Sequence, residues 1–125
     1  MNQDFDSKEK LYRAVYPPEI CDLFWKSNGE LSSAAFSDKK GLSVDRGDSR
    51  PDRDVITDML KRFSGRIVSV TVELCRDIEA EVYYRPSHNN PYHSEIHGSK
   101  ETALLSKPQR RYLARYAKIE YSPDS

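Results

Sequence analysis

The run Ile67-Val68-Ser69-Val70-Thr71-Val72-Glu73-Leu74 constrains the chain more than any other segment. Branching at Cβ restricts χ1 and favours an extended backbone. With side chains alternating, Val68, Val70, Val72 and Leu74 share one face, and Ile67, Ser69, Thr71 and Glu73 share a more polar one. A strand over residues 67–74 is expected. A lone strand is not stable in water, so the rest of the chain must supply partner strands and apolar cover.

Four other segments read as partners. Leu11–Tyr16 alternates until Pro17-Pro18 stops it. Leu42-Ser43-Val44-Asp45 turns Leu42 and Val44 inward, and it could form a hairpin with Leu31–Phe36. Ile78–Tyr84 and Tyr92–His97 alternate in the same way. For cover, the Ile20, Leu23 and Phe24 stripe predicts a short helix over Glu19–Lys26, ended by Asn28-Gly29. Val55, Ile56, Met59, Leu60 and Phe63 predict a helix capped by Asp52 or Asp54. A tail helix should start at Ser106, with Pro108 in its first turn and Tyr112, Leu113, Tyr116 and Ala117 as its stripe. The expected fold is α+β: a mostly antiparallel sheet of about four to five strands, with two to three helices on one face.

The chain has 125 residues, enough for one domain with its own core. That domain is expected over 11–121, between a flexible N-terminus (1–10) and a frayed C-terminus (122–125). Twenty basic residues balance twenty acidic ones. A general nucleic-acid binder would carry a basic excess, so nucleic acid is not an expected partner. The tail helix, with Lys107, Arg110, Arg111, Arg115 and Lys118, reads first as a solvated face. No stretch approaches the about 20 apolar residues of a membrane span, and the polar start has no secretory pattern. Cytoplasmic location and no membrane association are the expectation. Cys21 and Cys75 have no metal-finger or redox spacing and read as reduced thiols.

All three histidines fall in His88-Asn89-Asn90-Pro91-Tyr92-His93-Ser94-Glu95-Ile96-His97. If 92–97 is a strand, His93, Glu95 and His97 leave one face about 6.6–7 Å apart. A carboxylate beside an imidazole can orient it and raise its basicity. His93 and Glu95 are therefore the candidate catalytic pair, base and orienter. Arg13, Arg85 and Asn90 are candidate ligand-binding residues. His93, Glu95 and His97 are a possible metal set, although no cofactor is expected. A histidine-rich strand beside an Asn-Asn-Pro turn is also what an ordinary solvated face looks like. No P-loop, G-x-G-x-x-G or G-x-S-x-G is present.

Arg13 lies among Leu11 and Val15, where an ion pair is its ordinary role. Together with Ser43 and Glu95 it resembles the Arg–Ser–Glu pattern of NAD-using ADP-ribosyltransferases, at those three scattered positions alone. Over a longer span, roughly 11–117, the segments Leu11–Val15, Ala35-Phe36, Leu42–Asp45 and Asn90-Pro91-x-His93-x-Glu95-Ile96 resemble a group of short, uncharacterised bacterial proteins. That resemblance implies a bacterial cytoplasmic origin and no particular activity. The least demanding expectation is a small interaction or regulatory domain without catalysis, with a protein partner and unknown oligomeric state. The alternatives are a small enzyme or ligand-binding domain using His93 and Glu95, or a His/Glu metal site.

Overall fold

A computed structural model describes residues 4–123. Six strands form one antiparallel sheet: β1 (Lys10–Val15), β2 (Leu42–Arg46), β3 (Arg66–Thr71), β4 (Glu81–Tyr84), β5 (His93–His97) and β6 (Lys118–Tyr121). Their spatial order is β4-β5-β2-β1-β3-β6. Three helices accompany them: α1 (Asp52–Met59), α2 (Val72–Asp77) and α3 (Lys107–Tyr116). The α+β class is as expected, with six strands rather than four or five. Lys118-Ile119-Glu120-Tyr121 is the overlooked strand, paired along β3.

The sheet is covered on both sides, not one. Leu11, Val15, Leu42, Val44, Val68, Val70 and Ile96 meet Trp25, Phe36, Cys75, Leu105 and Leu113 in the larger core. On the opposite face Tyr12 and Ile67 meet Val55 and Met59 of α1. The alternating residues of β3 thus both find apolar cover, which explains why Ile67 is as buried as Val68.

Three expected elements come out differently. Residues 67–74 do not continue as a strand: at Thr71 the side chain accepts a hydrogen bond from the Leu74 amide and starts α2. Glu73 lies in that first turn, and Val72 and Cys75 turn into the core. Within 19–26 only a 3-10 turn forms, Asp22–Phe24, and Ile20 and Leu23 face solvent. The apolar member that enters the core is Trp25, whose indole donates to the Tyr16 carbonyl at 2.7 Å. Leu31–Phe36 is no hairpin arm either. Ser33–Phe36 is a 3-10 turn capped by Ser32, and β2 pairs instead with β1 and β5. Helix α1 starts after Pro51 without a side-chain cap, because Asp52 accepts from the Tyr12 hydroxyl and Lys10.

Residues 4–9, part of the N-terminus expected to be flexible, lie against the domain, where the Ser7 and Glu9 carbonyls accept from the Glu73 and Val72 amides. Glu9 grips the Arg46 guanidinium at 2.8 and 2.9 Å, and the Asp4 carbonyl accepts from the same group. Arg46 is 1% exposed and sits between the rings of Phe5 and Tyr84. Residues 1–3 of the expected flexible N-terminus and 124–125 of the expected frayed C-terminus lie outside the described residues. Among the described residues no helix is long and apolar enough to cross a membrane.

Candidate functional site

Helix α1 covers only the β1-β3 side of its face. The β2-β5-β4 side stays open, and the antiparallel registers arrange its residues. Asp45 stands opposite His93 and Ser43 opposite Glu95; on the other flank of β5, Tyr83 stands opposite Glu95 and Glu81 opposite His97. The period-two reading of the His-x-Glu-x-His segment holds, since β5 runs His93–His97 with Ser94 and Ile96 buried on the other side.

The pairing of those side chains was not legible. Glu95 binds His97, with Oε1 2.8 Å from Nε2. His93 is oriented instead by a backbone group: its Nδ1 lies 2.9 Å from the Arg85 carbonyl oxygen. A carbonyl can only accept, so Nδ1 carries the proton. In the neutral ring Nε2 is then a free acceptor, and it faces the Ser43 hydroxyl at 3.3 Å. The group that orients His93 is thus the Arg85 carbonyl and not Glu95, the partner expected for it.

The Glu95–His97 pair is enclosed. Tyr83 meets the His97 ring edge-on at 4.9 Å. Gly41, at φ +105°, closes the other side: a Cβ there would lie 2.6 Å from His97 Nε2 and 3.1 Å from Glu95 Oε1. Only glycine combines that backbone with that approach. The possible metal set is not brought together, because His93 turns to Ser43 and Arg85 while Glu95 and His97 bind one another. Among the described residues no three His, Cys, Asp or Glu side chains form a group that could hold a metal ion. His88 is exposed on the loop before β5 and joins neither pair.

Beside His93 the surface sinks into a cleft of about 300 Å³. Its floor is formed by Tyr12, Ala14 and Ser43; one wall is Met59 at the end of α1 with Arg62 and Phe63 after it, and the other is the loop Ser87–Asn90. Asp45 ties the walls together: one oxygen accepts from Arg62 at 2.7 Å, the other from the Asn90 amide at 2.9 Å. Asn90, a candidate ligand-binding residue, is therefore buried and occupied, and its side-chain Oδ1 accepts from the Tyr92 backbone N–H.

Arg13 is occupied too. Beyond Tyr12 the strands β1 and β2 no longer pair. The Arg13 guanidinium donates to the Ser43 carbonyl at 2.9 Å, to the Ala35 carbonyl at 2.9 Å, and to Asp38 at 3.1 Å. Burial draws its pKa down and Asp38 offsets part of that shift. The ion pair read as its ordinary role is present. Of the three candidate ligand residues only Arg85 presents its charge outward: its side chain is 54% exposed, 5.1 Å above the Tyr83 ring and 4.0 Å from Glu95.

Ser43, Gly41, Asp45 and Arg62 are the parts that the catalytic assignment did not include. Leu-Ser-Val-Asp does carry a signal for two of them: with Leu42 and Val44 inward, Ser43 and Asp45 must share the outer face. Comparison with protein-family models, curated proteins and solved structures gives no match.

Proposed function

We propose that the protein is a small enzyme acting on a small substrate in the cleft beside His93. His93 is its general base, on the Ser43 hydroxyl or on a water at the same position. One observation carries this reading: the Arg85 carbonyl holds the Nδ1 proton of His93 and leaves Nε2 aimed at Ser43 at the mouth of a concave site. Arg85, outward and half exposed, is the group suited to an anionic portion of the substrate. A plain interaction domain has less support, since the surface here is concave and His93 and Ser43 converge on it. We place the activity in a bacterial cytoplasm on the strength of the Leu42–Asp45 and Asn90–Ile96 segments.

The test is hydrolysis of activated p-nitrophenyl esters and phosphates by the wild-type chain, His93→Gln and Ser43→Ala. His93→Gln should lose about 10²–10⁴ of the rate, the range of a positioned acid–base group. Ser43→Ala should match that loss if the hydroxyl is the nucleophile, and retain most of the rate if water is. Equal rates for wild type and His93→Gln would sink the proposal.

A second reading has one observation in its favour. Arg13 donates to the Ser43 carbonyl and Ser43 stands opposite Glu95, so the Arg–Ser–Glu pattern falls on three neighbouring strands. Nicotinamide release from NAD, lost in Glu95→Gln and kept in His93→Gln, would favour it over the first.

A further inference from the structure

We propose that the groove between α3 and residues 26–33, on the other side of the sheet from the cleft, binds a small molecule bearing a diphosphate. Leu113 fixes α3 by its full burial, and this leaves Arg111 and Arg115 one turn apart on the flank that faces the groove. Opposite them, Leu31 anchors the chain in the core while Lys26 and Ser33 line the far wall. Ala114 and Ala117 are small, and the space between the walls reaches about 900 Å³.

The charges in this groove are unbalanced, in a chain whose total is zero. Three cations, Lys26, Arg111 and Arg115, line it with one carboxylate, Glu30, which lies 4.0 Å from Lys26. Among the described residues neither Arg111 nor Arg115 has a carboxylate partner; Arg115 only lies over the Tyr116 ring. Neighbouring Arg110 shows the contrast, since it is spent on the Leu105 carbonyl at 2.7 Å. Like charges one turn apart weaken a helix unless something sits between them. Two planar guanidinium forks, carried on residues about 6 Å apart along the helix axis, can each grip one of two linked phosphoryl groups. A nucleic-acid strand fits less well. The cations form a single cluster rather than a track, and a neutral chain has no long-range field to gather a polyanion.

The experiment is an amide NMR titration of the full chain with inorganic pyrophosphate, orthophosphate and a short single-stranded oligonucleotide, repeated on Arg111→Gln and Arg115→Gln. Both arginines are exposed, so the variants should keep the wild-type spectrum outside α3. Saturable pyrophosphate shifts at Ser33, Arg111 and Arg115 are expected, stronger than with orthophosphate and weakened about tenfold or more in either variant. Shifts that fail to saturate, that spread evenly over all cationic side chains, or that survive both substitutions would overturn the proposal. So would tighter binding of the oligonucleotide than of pyrophosphate.

Discussion

Cys75 carries its thiol into the centre of the larger core, where burial pushes its pKa from the ordinary 9.0 to about 12. The sign of the consequence follows from proton counting. Between these values the unfolded thiol has lost its proton and the folded one has kept it, so stability falls as pH rises through that window. Below pH 9 the two states are equally protonated and the term vanishes. Tyr12 adds a similar decline further up, because burial and then the bond to Asp52 push its hydroxyl upward. Urea midpoints of wild type and Cys75→Ala should diverge above pH 9. The variant's decline should be shallower by up to about 1.4 kcal/mol per pH unit, whatever constant cost the lost sulfur brings. Parallel curves would show that the thiol titrates freely. His93 illustrates the same scale from the functional side: its type and face could be read from spacing, but its tautomer depends on one carbonyl eight residues away.

Helix α3 starts where Ser106 and Pro108 place it in the sequence, and a second signal lies at Gln109. Ser106 accepts from the Gln109 amide, and the Gln109 side chain accepts from the Ser106 amide, with Pro108 in the first turn. Gln109 does more than cap. Its amide nitrogen also donates to the carbonyls of Ile78 and Gly98, joining α3 to the ends of α2 and β5. Ser106→Ala should therefore cost about 1 kcal/mol and Gln109→Ala distinctly more, about 2–3 kcal/mol, in chemical denaturation. Equal costs would show that the two extra bonds contribute nothing. The less legible elements share a cause. Val72 and Leu74 have strand propensity, but the Thr71 cap and the burial of Cys75 outweigh it. Ile20 and Leu23 have helical spacing, yet Trp25 takes the available core and leaves them outside. Lys118–Tyr121 alternates, but four residues directly after a helix declare themselves only against β3. The site follows this pattern. Alternation gave the common face of His93, Glu95 and His97, whereas Ser43, Gly41 and the Arg85 carbonyl reach them through the β2–β5 and β4–β5 registers, which local sequence does not specify.

The molecule is closed at one end by the ion pair between Glu9 and fully buried Arg46, which fastens the chain before β1 to the strand that carries Ser43. Two desolvated charges stabilise little as a pair, but one left alone is costly. Glu9→Gln should destabilise the chain by about 3–5 kcal/mol, while Glu9→Leu combined with Arg46→Met should recover much of that, as denaturation midpoints will show. Additive losses in the double variant would contradict this. Beyond this fastening, the sheet is two three-stranded halves, β4-β5-β2 and β1-β3-β6, joined by a short ladder at Leu11–Arg46 and Tyr12–Asp45, continued by the Gly47 amide on the Lys10 carbonyl, before Arg13 takes over with a side chain. The order of deuterium uptake should therefore be inverted. Strand amides usually exchange last at the middle of a sheet, yet here those of β1 and β2 that face the seam past Tyr12 should exchange ahead of the β1–β3 ladder. Since Tyr12, Arg13, Ser43 and Asp45 also line the cleft, a substrate lodged there would bridge both halves and slow that exchange, so that occupancy of the site could be read in the backbone of the central strands.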